Sequence, residues 1–356
     1  MQNEVPDDHQ QWLNACRERQ DQVSWIEIDI TRSDWLESIK GQALDGLLAT
    51  PPAFTMPFET LFDERVSILA EELKMPVYPS LTEIRIYENK KYLAYWLKAH
   101  EVACPKTWVF YYEKEALNFL EKAEFPIVGK TNIGASGRGV IILKDRKSAR
   151  RYVENLFSGK GAQRSVGPRW KKRGFVLRLI RKIMQPKAFA MKLKQYQRVR
   201  ADVQSDFVLL QEFIPHDFEW RCVRIGDSYF AHKKIKAGDK ASGTLIKGYE
   251  TPPIYLLDFV RELTEKHQLF SQAVDVFFTP EHEILVNEMQ CLFGQSDPYQ
   301  MLINDQPGRY IYQRGQWVFE PGDFNRFESY LLRLDHFLEL LKKRNPKKTT
   351  SHVRTE

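Results

Sequence analysis

A glycine-rich stretch near the middle of the sequence has the residue types that bind phosphate. An apolar run ends at Gly129 and Lys130, three glycines fall within 134–139, and a second apolar run begins at Val140. This pattern predicts a β-hairpin with a glycine-rich turn. Glycine lets backbone amides approach anionic oxygens closely, and the lysine adds a positive charge at the strand end. The candidate phosphate ligands are Lys130, Ser136, Gly137, Arg138 and Gly139.

The stretch matches neither of two common phosphate-binding loops. No Gly-Lys-Ser/Thr sequence closes it, as a P-loop requires, and a strand rather than a helix follows it, unlike the dinucleotide-binding motif. A glycine-rich hairpin that binds nothing is therefore the alternative, and the rest of the chain has to decide between the two.

Two acidic residues near the C-terminal end are candidate metal ligands. Asp275 and Glu288 lie on strand-like runs joined by a turn sequence at 279–283, and a hairpin centred on 280–283 would pair them directly. Gln290 shares the face of Glu288, because strand side chains repeat every two residues. Two carboxylates and an amide oxygen suit Mg²⁺. A pair of surface acids is the alternative, but Glu288 interrupts an otherwise apolar run.

The strand-like run that ends near 214 has features suited to an adenine nucleoside. Extended backbone at a strand exit can present an N–H and a C=O to an adenine edge, and an acid a few residues on can accept hydrogen bonds from ribose hydroxyls. The candidate residues are Gln211, Glu212, Phe213, Ile214 and Glu219. An ordinary strand exit is the alternative.

Basic residues alternate along the two runs that follow. Arg221 lies on the first, and on the second His232, Lys234 and Lys236 share one face. Beside a magnesium–phosphate site such a face would neutralise charge that moves onto a phosphoryl group. Without one, it would be a solvated edge strand.

The elements that position these residues follow from hydrophobic periodicity. Residues 22–73 read as a small α/β unit, and the chain then alternates helices and strands up to the basic segment described below. From 207 onward it is rich in strands. The predicted strands are 25–30, 45–49, 107–112, 126–130, 140–143, 207–214, 219–225, 228–236, 273–278 and 283–289, and the predicted helices are 33–39, 58–73, 89–100, 113–122, 147–157 and 256–267.

Composition indicates a globular protein of two or three compact units. The chain has 356 residues, 43% of them hydrophobic and 28% charged. No apolar run is long enough to span a membrane, and the polar N-terminus does not resemble a signal peptide. The four widely spaced cysteines predict neither disulfides nor a zinc site, so we expect a cytoplasmic protein.

One segment is strongly basic. Residues 158–205 contain fourteen Lys or Arg and one acid, a charge of +13, so the remainder carries 6 − 13 = −7. Within it, 175–184 could form a basic amphipathic helix that binds an anionic glycan or the inner membrane face. A solvated loop is the alternative. We do not expect nucleic acid as a partner, and the sequence does not indicate the oligomeric state.

The order of these parts resembles the ATP-grasp superfamily of carboxylate–amine ligases, which includes glutathione synthetase, the ribosomal-protein glutamate ligase and D-alanine–D-alanine ligase. The resemblance runs from Asn89 to Gln290. Three positions depart from the family pattern: Asn89 replaces an acid, Gly129 replaces a branched residue and Gln290 replaces asparagine. The segments 158–205 and 291–325 match no relative and leave the substrates open.

The resemblance implies an α/β (α+β) ATP-grasp fold. An N-terminal α/β domain would cover 1–87. A lid subdomain, which contains the basic segment, would cover 88–206, and a C-terminal antiparallel-sheet subdomain would cover 207–340. A disordered basic tail would follow at 341–356. ATP and Mg²⁺ would be the cofactors. Phosphate oxygens would be held by Lys90 and Lys130, the acyl phosphate by Arg221, Lys234 and Lys236, and the metal by Asp275, Glu288 and Gln290.

The implied reaction is ATP-dependent amide formation. ATP phosphorylates a carboxylate, an amine attacks the acyl phosphate, and ADP and phosphate are released. The substrates would be a small-molecule carboxylate and amine, with an amino acid and an anionic or lipid-linked glycan as the expected pair, which would place the protein in polysaccharide biosynthesis. One alternative is a kinase of the same fold that phosphorylates a sugar or alcohol. Another is an anionic-surface or nucleic-acid binding protein built around 158–205.

Overall fold

A computed structural model of the chain describes residues 9–134, 139–161, 186–237, 240–241, 246–293 and 297–344. The N-terminal unit places a two-stranded parallel sheet among short helices. Its α4 begins with a capping box between Ser80 and Glu83. The elements are α1 (Gln10–Glu18), α2 (Trp35–Lys40), β1 (Leu47–Leu48), α3 (Met56–Ser67, continued by a π-helical turn Ile68–Glu72), β2 (Val77–Tyr78) and α4 (Leu81–Ile86).

The strand predicted at 25–30 is wrong. This segment is irregular in the structure, and β1 pairs with β2 rather than with it. Ile28 and Ile30 pack partly against the core formed by Trp35 and Ile39, while Ile26 stays 49% exposed. Apolar and polar side chains do alternate along this segment, but the segment has no neighbouring strand with which to form a hydrogen-bonded ladder.

A four-stranded antiparallel sheet carries the glycine-rich hairpin. Its order is β3-β6-β4-β5, and α6 and α7 pack against it around Phe110, Leu120 and Val153. The predicted hairpin is confirmed, with Lys130 opposite Val140. The elements of this part are α5 (Lys90–Ala99), β3 (Thr107–Phe110), α6 (Glu113–Leu120), β4 (Ile127–Lys130), β5 (Val140–Leu143), α7 (Arg146–Phe157), α8 (Pro186–Ala201) and β6 (Val208–Glu212).

The largest sheet is antiparallel and has nine strands within the described residues. Its order is β12-β11-β7-β8-β14-β13, with β15 on β14 and both β9 and β10 on β8. Its core includes residues of α5 and α9. The elements are β7 (Phe218–Ile225), β8 (Ser228–Ala237), β9 (Lys240–Ala241), β10 (Lys247–Gly248), α9 (Ile254–Lys266), β11 (Ser271–Phe278), β12 (Ile284–Gln290), β13 (Leu302–Ile303), β14 (Gln306–Gln313), β15 (Gln316–Pro321) and α10 (Tyr330–Arg344).

The last helix, α10, packs on the N-terminal unit. The rings of Trp12 and Tyr330 lie 4.7 Å apart, and Phe337 joins the same cluster. The disordered tail is predicted to begin at 341, but the helix continues to Arg344 because its apolar face packs on this cluster. The Arg344 side chain donates a hydrogen bond to the Lys74 carbonyl at 2.9 Å. Residues 345–356 lie outside the described residues.

Part of the basic segment 158–205 is helical. Helix α8 covers its C-terminal third, and Arg198 lies 5.6 Å from the centre of the Phe58 ring on α3. The helix predicted at 175–184 lies outside the described residues. In the described part of the chain, no helix combines the length and apolar composition needed to cross a bilayer.

Candidate functional site

A buried cluster of opposite charges lies on three adjacent strands of the large sheet. Strand register sets it up, because Asp275 on β11 pairs with Arg221 on β7, and Glu219 on β7 pairs with Lys234 on β8. The Arg221 guanidinium donates two hydrogen bonds to the Asp275 carboxylate, at 2.7 and 2.8 Å. The Lys234 ammonium donates to Asp275 at 2.7 Å and to Glu219 at 2.6 Å.

These contacts determine the charge states of the cluster. Burial alone would raise the pKa of Asp275, but Arg221 and Lys234 together hold it below its usual range. Burial opposes the charge of Lys234, yet Asp275 and Glu219 raise its pKa. Asp275 and Lys234 therefore stay ionised at neutral pH.

The basic face of β8 is less basic than the sequence indicates. Burial, with help from Arg221 and Lys247, lowers the pKa of His232 to about 3, so its imidazole is neutral. Its Nδ1 donates to the Gln300 carbonyl at 3.0 Å. Lys236 lies two residues beyond Lys234 and is partly buried. Of the face predicted from the sequence, Lys234 alone belongs to the charge cluster.

The predicted pairing of the two candidate metal ligands is confirmed. Asp275 lies opposite Glu288 in the β11–β12 hairpin. The register shifts after this pair, so Asn287 is an extra, bulged residue. Its side chain accepts from the Lys130 ammonium at 3.1 Å and donates to Glu219 at 3.3 Å. Asn287 thus links the hairpin lysine to the charge cluster, a contact that sequence reasoning missed.

A second charged group lies at the start of α5. The Asn89 side chain caps this helix by accepting from the Tyr92 amide at 3.1 Å. The Lys90 ammonium lies 3.5 Å from Glu88 and 3.7 Å from Glu288. It is buried and has no hydrogen-bond partner among the described residues. A buried ammonium group that lacks a hydrogen-bond partner is suited to binding an anionic ligand.

Glu88 is the other site residue that the sequence did not reveal. It is 4% exposed, has a φ of 50°, and accepts from the Gly134 amide at 3.2 Å. It also accepts from the Gln290 amide nitrogen at 3.1 Å, so the Gln290 oxygen is the atom that can bind a metal. Burial raises the pKa of Glu88, while Lys90 opposes this shift.

Lys130 has an environment suited to phosphate. Burial lowers the pKa of its amine to about 8, which Glu288 only partly offsets. Next to it, a Cβ on Gly129 would lie 2.7 Å from the Tyr152 ring, which explains why a branched residue is absent here. Gly139 has a φ of +136° and binds the Thr131 amide through its carbonyl at 2.8 Å. Ser136, Gly137 and Arg138 lie outside the described residues.

The candidate adenine site lies at the end of β6. Gln211 donates to the Thr107 hydroxyl at 3.1 Å, and the Glu212 carboxylate accepts from the Lys106 amide at 3.1 Å. Phe213 and Ile214 leave the strand partly buried. Glu219, the predicted ribose ligand, belongs to the charge cluster through its 2.6 Å contact with Lys234.

The donor set fits Mg²⁺ that is shared with phosphate oxygens. Among the described residues, no group of three or more His, Cys, Asp or Glu side chains could hold a metal by itself. The predicted set contains two carboxylates and one amide, all oxygen donors, and Mg²⁺ in such sites completes its shell with water and phosphate. Lys90 and Lys130 lie beside this set and suit the phosphate charge.

Several solved structures are similar to this chain in fold. D-alanine–D-alanine ligase from Bacillus anthracis is 15% identical, covers 97% of this chain and 96% of its own, and has a TM-score of 0.51. A "RimK domain protein ATP-grasp" from Sphaerobacter thermophilus is 15% identical over 81% of this chain and 87% of its own, with a TM-score of 0.47. The biotin carboxylase domain of 2-oxoglutarate carboxylase from Hydrogenobacter thermophilus, solved with MgADP, is 13% identical over 81% of this chain and 62% of its own, with a TM-score of 0.47.

The similarity to the Bacillus anthracis ligase defines the fold. The chain has an α+β ATP-grasp fold, as the sequence predicts, and the likeness to the Bacillus anthracis ligase spans nearly its whole length. No protein-family model matches the chain, and no curated protein sequence matches it.

Proposed function

We propose that this protein is an ATP-dependent ligase that activates a carboxylate as an acyl phosphate and joins it to an amine. The observation that carries the proposal is the convergence of two buried lysines, Lys90 and Lys130, with the ion-paired set of Arg221, Lys234 and Asp275. This convergence occurs in an ATP-grasp fold. Such a site supplies positioning and charge neutralisation, which phosphoryl transfer needs most.

Each group has a distinct part in the proposed reaction. Lys90 and Lys130 hold phosphate oxygens. Arg221 and Lys234, held rigidly by Asp275, face charge that develops on the transferred phosphoryl group. Mg²⁺ on Asp275, Glu288 and Gln290 would neutralise the phosphates of ATP. The adenine would lie at Gln211 to Ile214.

The first prediction concerns stoichiometry. With Mg-ATP and a matching carboxylate and amine, the protein should release ADP and inorganic phosphate in equal amounts with one amide formed per turnover. A panel of amino acids, uronic acids and amino sugars, followed by coupled ADP and phosphate assays and mass spectrometry, tests this. ADP release with a phosphorylated sugar or alcohol and no free phosphate would establish the kinase alternative instead.

A finer proposal concerns the substrate. We propose that the basic segment 158–205 recruits an anionic or lipid-linked glycan, at the inner membrane face in the lipid-linked case. Two observations support this: its charge of +13, and the contacts of its C-terminal part with α3, where Asp202 accepts from the Met56 amide at 3.2 Å. Charge at this position would raise the local concentration of an anionic substrate.

The second prediction tests this recruitment. Replacing 162–185 with a glycine-serine linker leaves α8 in place and removes eight basic residues. Binding to anionic liposomes and acidic glycans should be lost, while Mg-ATP binding stays unchanged. In the intact protein this binding should weaken with salt, because exposed charges are screened over about 8 Å at physiological ionic strength. Unchanged liposome and glycan binding after the replacement would rule out the recruitment role, and neutral liposomes serve as the control.

A further inference from the structure

Glu59 on α3 is a buried carboxylate beside the candidate site. Its residue exposure is 6%, and neither carboxylate oxygen has a hydrogen-bond partner among the described residues. Leaving such a group buried and unsatisfied is costly. The cost is offset when a ligand supplies the missing donors, so the two free oxygens indicate a place for a cationic or hydrogen-bond-donating group.

The surroundings of Glu59 connect it to the proposed phosphate site. Met56, one turn earlier on α3, contacts the Asn132 side chain at 3.6 Å, and Asn132 also accepts from the Lys91 amide at 2.9 Å. The first turn of α3 therefore packs where the loop after β4 meets the start of α5. Glu88 and Lys90, which also interact electrostatically with Glu59, line the proposed site from this side.

Burial and neighbouring charges tune this carboxyl. Burial is the largest effect, and together with Asp63 and Glu88 it raises the pKa of Glu59 to about 8, against the opposing charges of Lys90 and Lys91. The Lys90 ammonium lies within ion-pair distance of two other carboxylates, those of Glu88 and Glu288. Without a bound cation this carboxyl of Glu59 is mostly protonated at neutral pH, but a bound ammonium group would favour its ionised form, as Lys90 and Lys91 do. A carboxylate whose pKa lies near neutrality can then accept a proton.

We propose that Glu59 binds the ammonium group of the amine substrate and accepts one of its protons, a role that rests on the proposed ligase function. The proton passes from the ammonium nitrogen to the Glu59 carboxylate and leaves a neutral amine. The nitrogen lone pair then forms the C–N bond to the acyl carbon, the bond from that carbon to the phosphate oxygen breaks, and inorganic phosphate leaves with the electron pair and the second amine proton. The substrate class is therefore a primary amine that binds as its cation.

The third prediction uses two nucleophiles. Hydroxylamine is largely uncharged at neutral pH and needs no base to attack an acyl phosphate. Glu59→Gln should lose roughly 100-fold or more of ATP-dependent amide formation with the amine found in the stoichiometry assay, since general base catalysis contributes about 10² to 10⁴. Hydroxamate formation with the same carboxylate should stay within a few-fold of wild type. Glu64→Gln, at an exposed position on the same helix, should leave both rates unchanged.

Thermal unfolding separates this role from a structural one. The folded-state pKa of Glu59 lies above its ordinary value of 4.5, so the folded form retains a proton that the unfolded form releases. Its contribution to stability therefore falls as the pH rises from about 4.5 to about 8. A glutamine does not titrate, so the stability of Glu59→Gln does not decrease in this way. The melting temperature of Glu59→Gln minus that of wild type should therefore increase as the pH rises from about 4.5 to about 8.

Three results would overturn the inference. These are equal losses with both nucleophiles, no loss with either, or a Glu59→Gln protein that is less stable than wild type at pH 8. A wild-type protein that yields neither amide nor hydroxamate with any carboxylate of the panel would instead contradict the ligase function itself.

Discussion

Glu288→Gln should abolish turnover and leave the fold intact. The change keeps the size of the side chain and removes a charge from the proposed Mg²⁺ set. Because metal binding contributes several kcal/mol of transition-state stabilisation, we expect kcat to fall by roughly 10³-fold or more. The side chain is 24% exposed, and its ion-pair contact is the 3.7 Å approach of Lys90, so little stability depends on it. ADP release at saturating Mg-ATP measures the effect.

The fold and nucleotide binding of this variant need separate measurements. Far-ultraviolet circular dichroism should match wild type. A ligand present at 100 times its Kd adds about 2.7 kcal/mol to the stability of the protein that binds it, so wild type should show a clear thermal shift with Mg-ATP. That shift should shrink in Glu288→Gln and lose its dependence on magnesium. Glu283→Gln, at an exposed position in the same hairpin, is the matched control. A magnesium-dependent and fully active Glu288→Gln enzyme would show that Glu288 is not a metal ligand.

The parts of the site that could be predicted are those fixed by local pattern. The short turn at 279–283 predicts that the runs holding Asp275 and Glu288 form a hairpin, and they do. The two acids lie opposite each other because the bulged residue Asn287 shifts a register that would otherwise pair Asp275 with Asn287. The glycine-rich hairpin is also predictable, since two neighbouring apolar runs with a short glycine-rich connection favour pairing with each other. Alternation also predicts that Lys234 shares one face of its strand with His232 and Lys236.

Other parts depend on contacts that no local pattern encodes. Strict alternation would put Asn287 and Glu288 on opposite faces, and a bulge brings Asn287 to Lys130 and Glu219 instead. Glu88 precedes α5 at a positive φ, outside any periodic element, and it binds Gln290 from 202 positions away in sequence. The segment 25–30 shows the reverse case, in which a good strand pattern finds no partner strand.

Asp275→Asn should both inactivate and destabilise the protein, in contrast to Glu288→Gln. Asp275 is 1% exposed and accepts three charged hydrogen bonds from Arg221 and Lys234. An amide keeps the shape but removes the charge, and it leaves two buried cations without adequate compensation. Breaking a buried ion pair from one side costs about 3–5 kcal/mol, and we expect a loss of that size in the free energy of unfolding. Urea unfolding together with ADP release measures both effects.

The pH dependence of the Asp275→Asn loss identifies its cause. Burial works against the charge of Asp275, but Arg221 and Lys234 hold its pKa below the ordinary value of 3.8. A carboxylate with a lowered folded-state pKa stabilises the fold above its unfolded pKa, and this stabilisation disappears as the pH falls toward the folded value. The gap in stability between wild type and Asp275→Asn should therefore be constant near neutrality and narrow below about pH 4. Asp305→Asn, in the exposed turn between β13 and β14, should show no gap at any pH. A gap that stays the same down to pH 2 would mean that altered packing, rather than the lost charge, destabilises the variant.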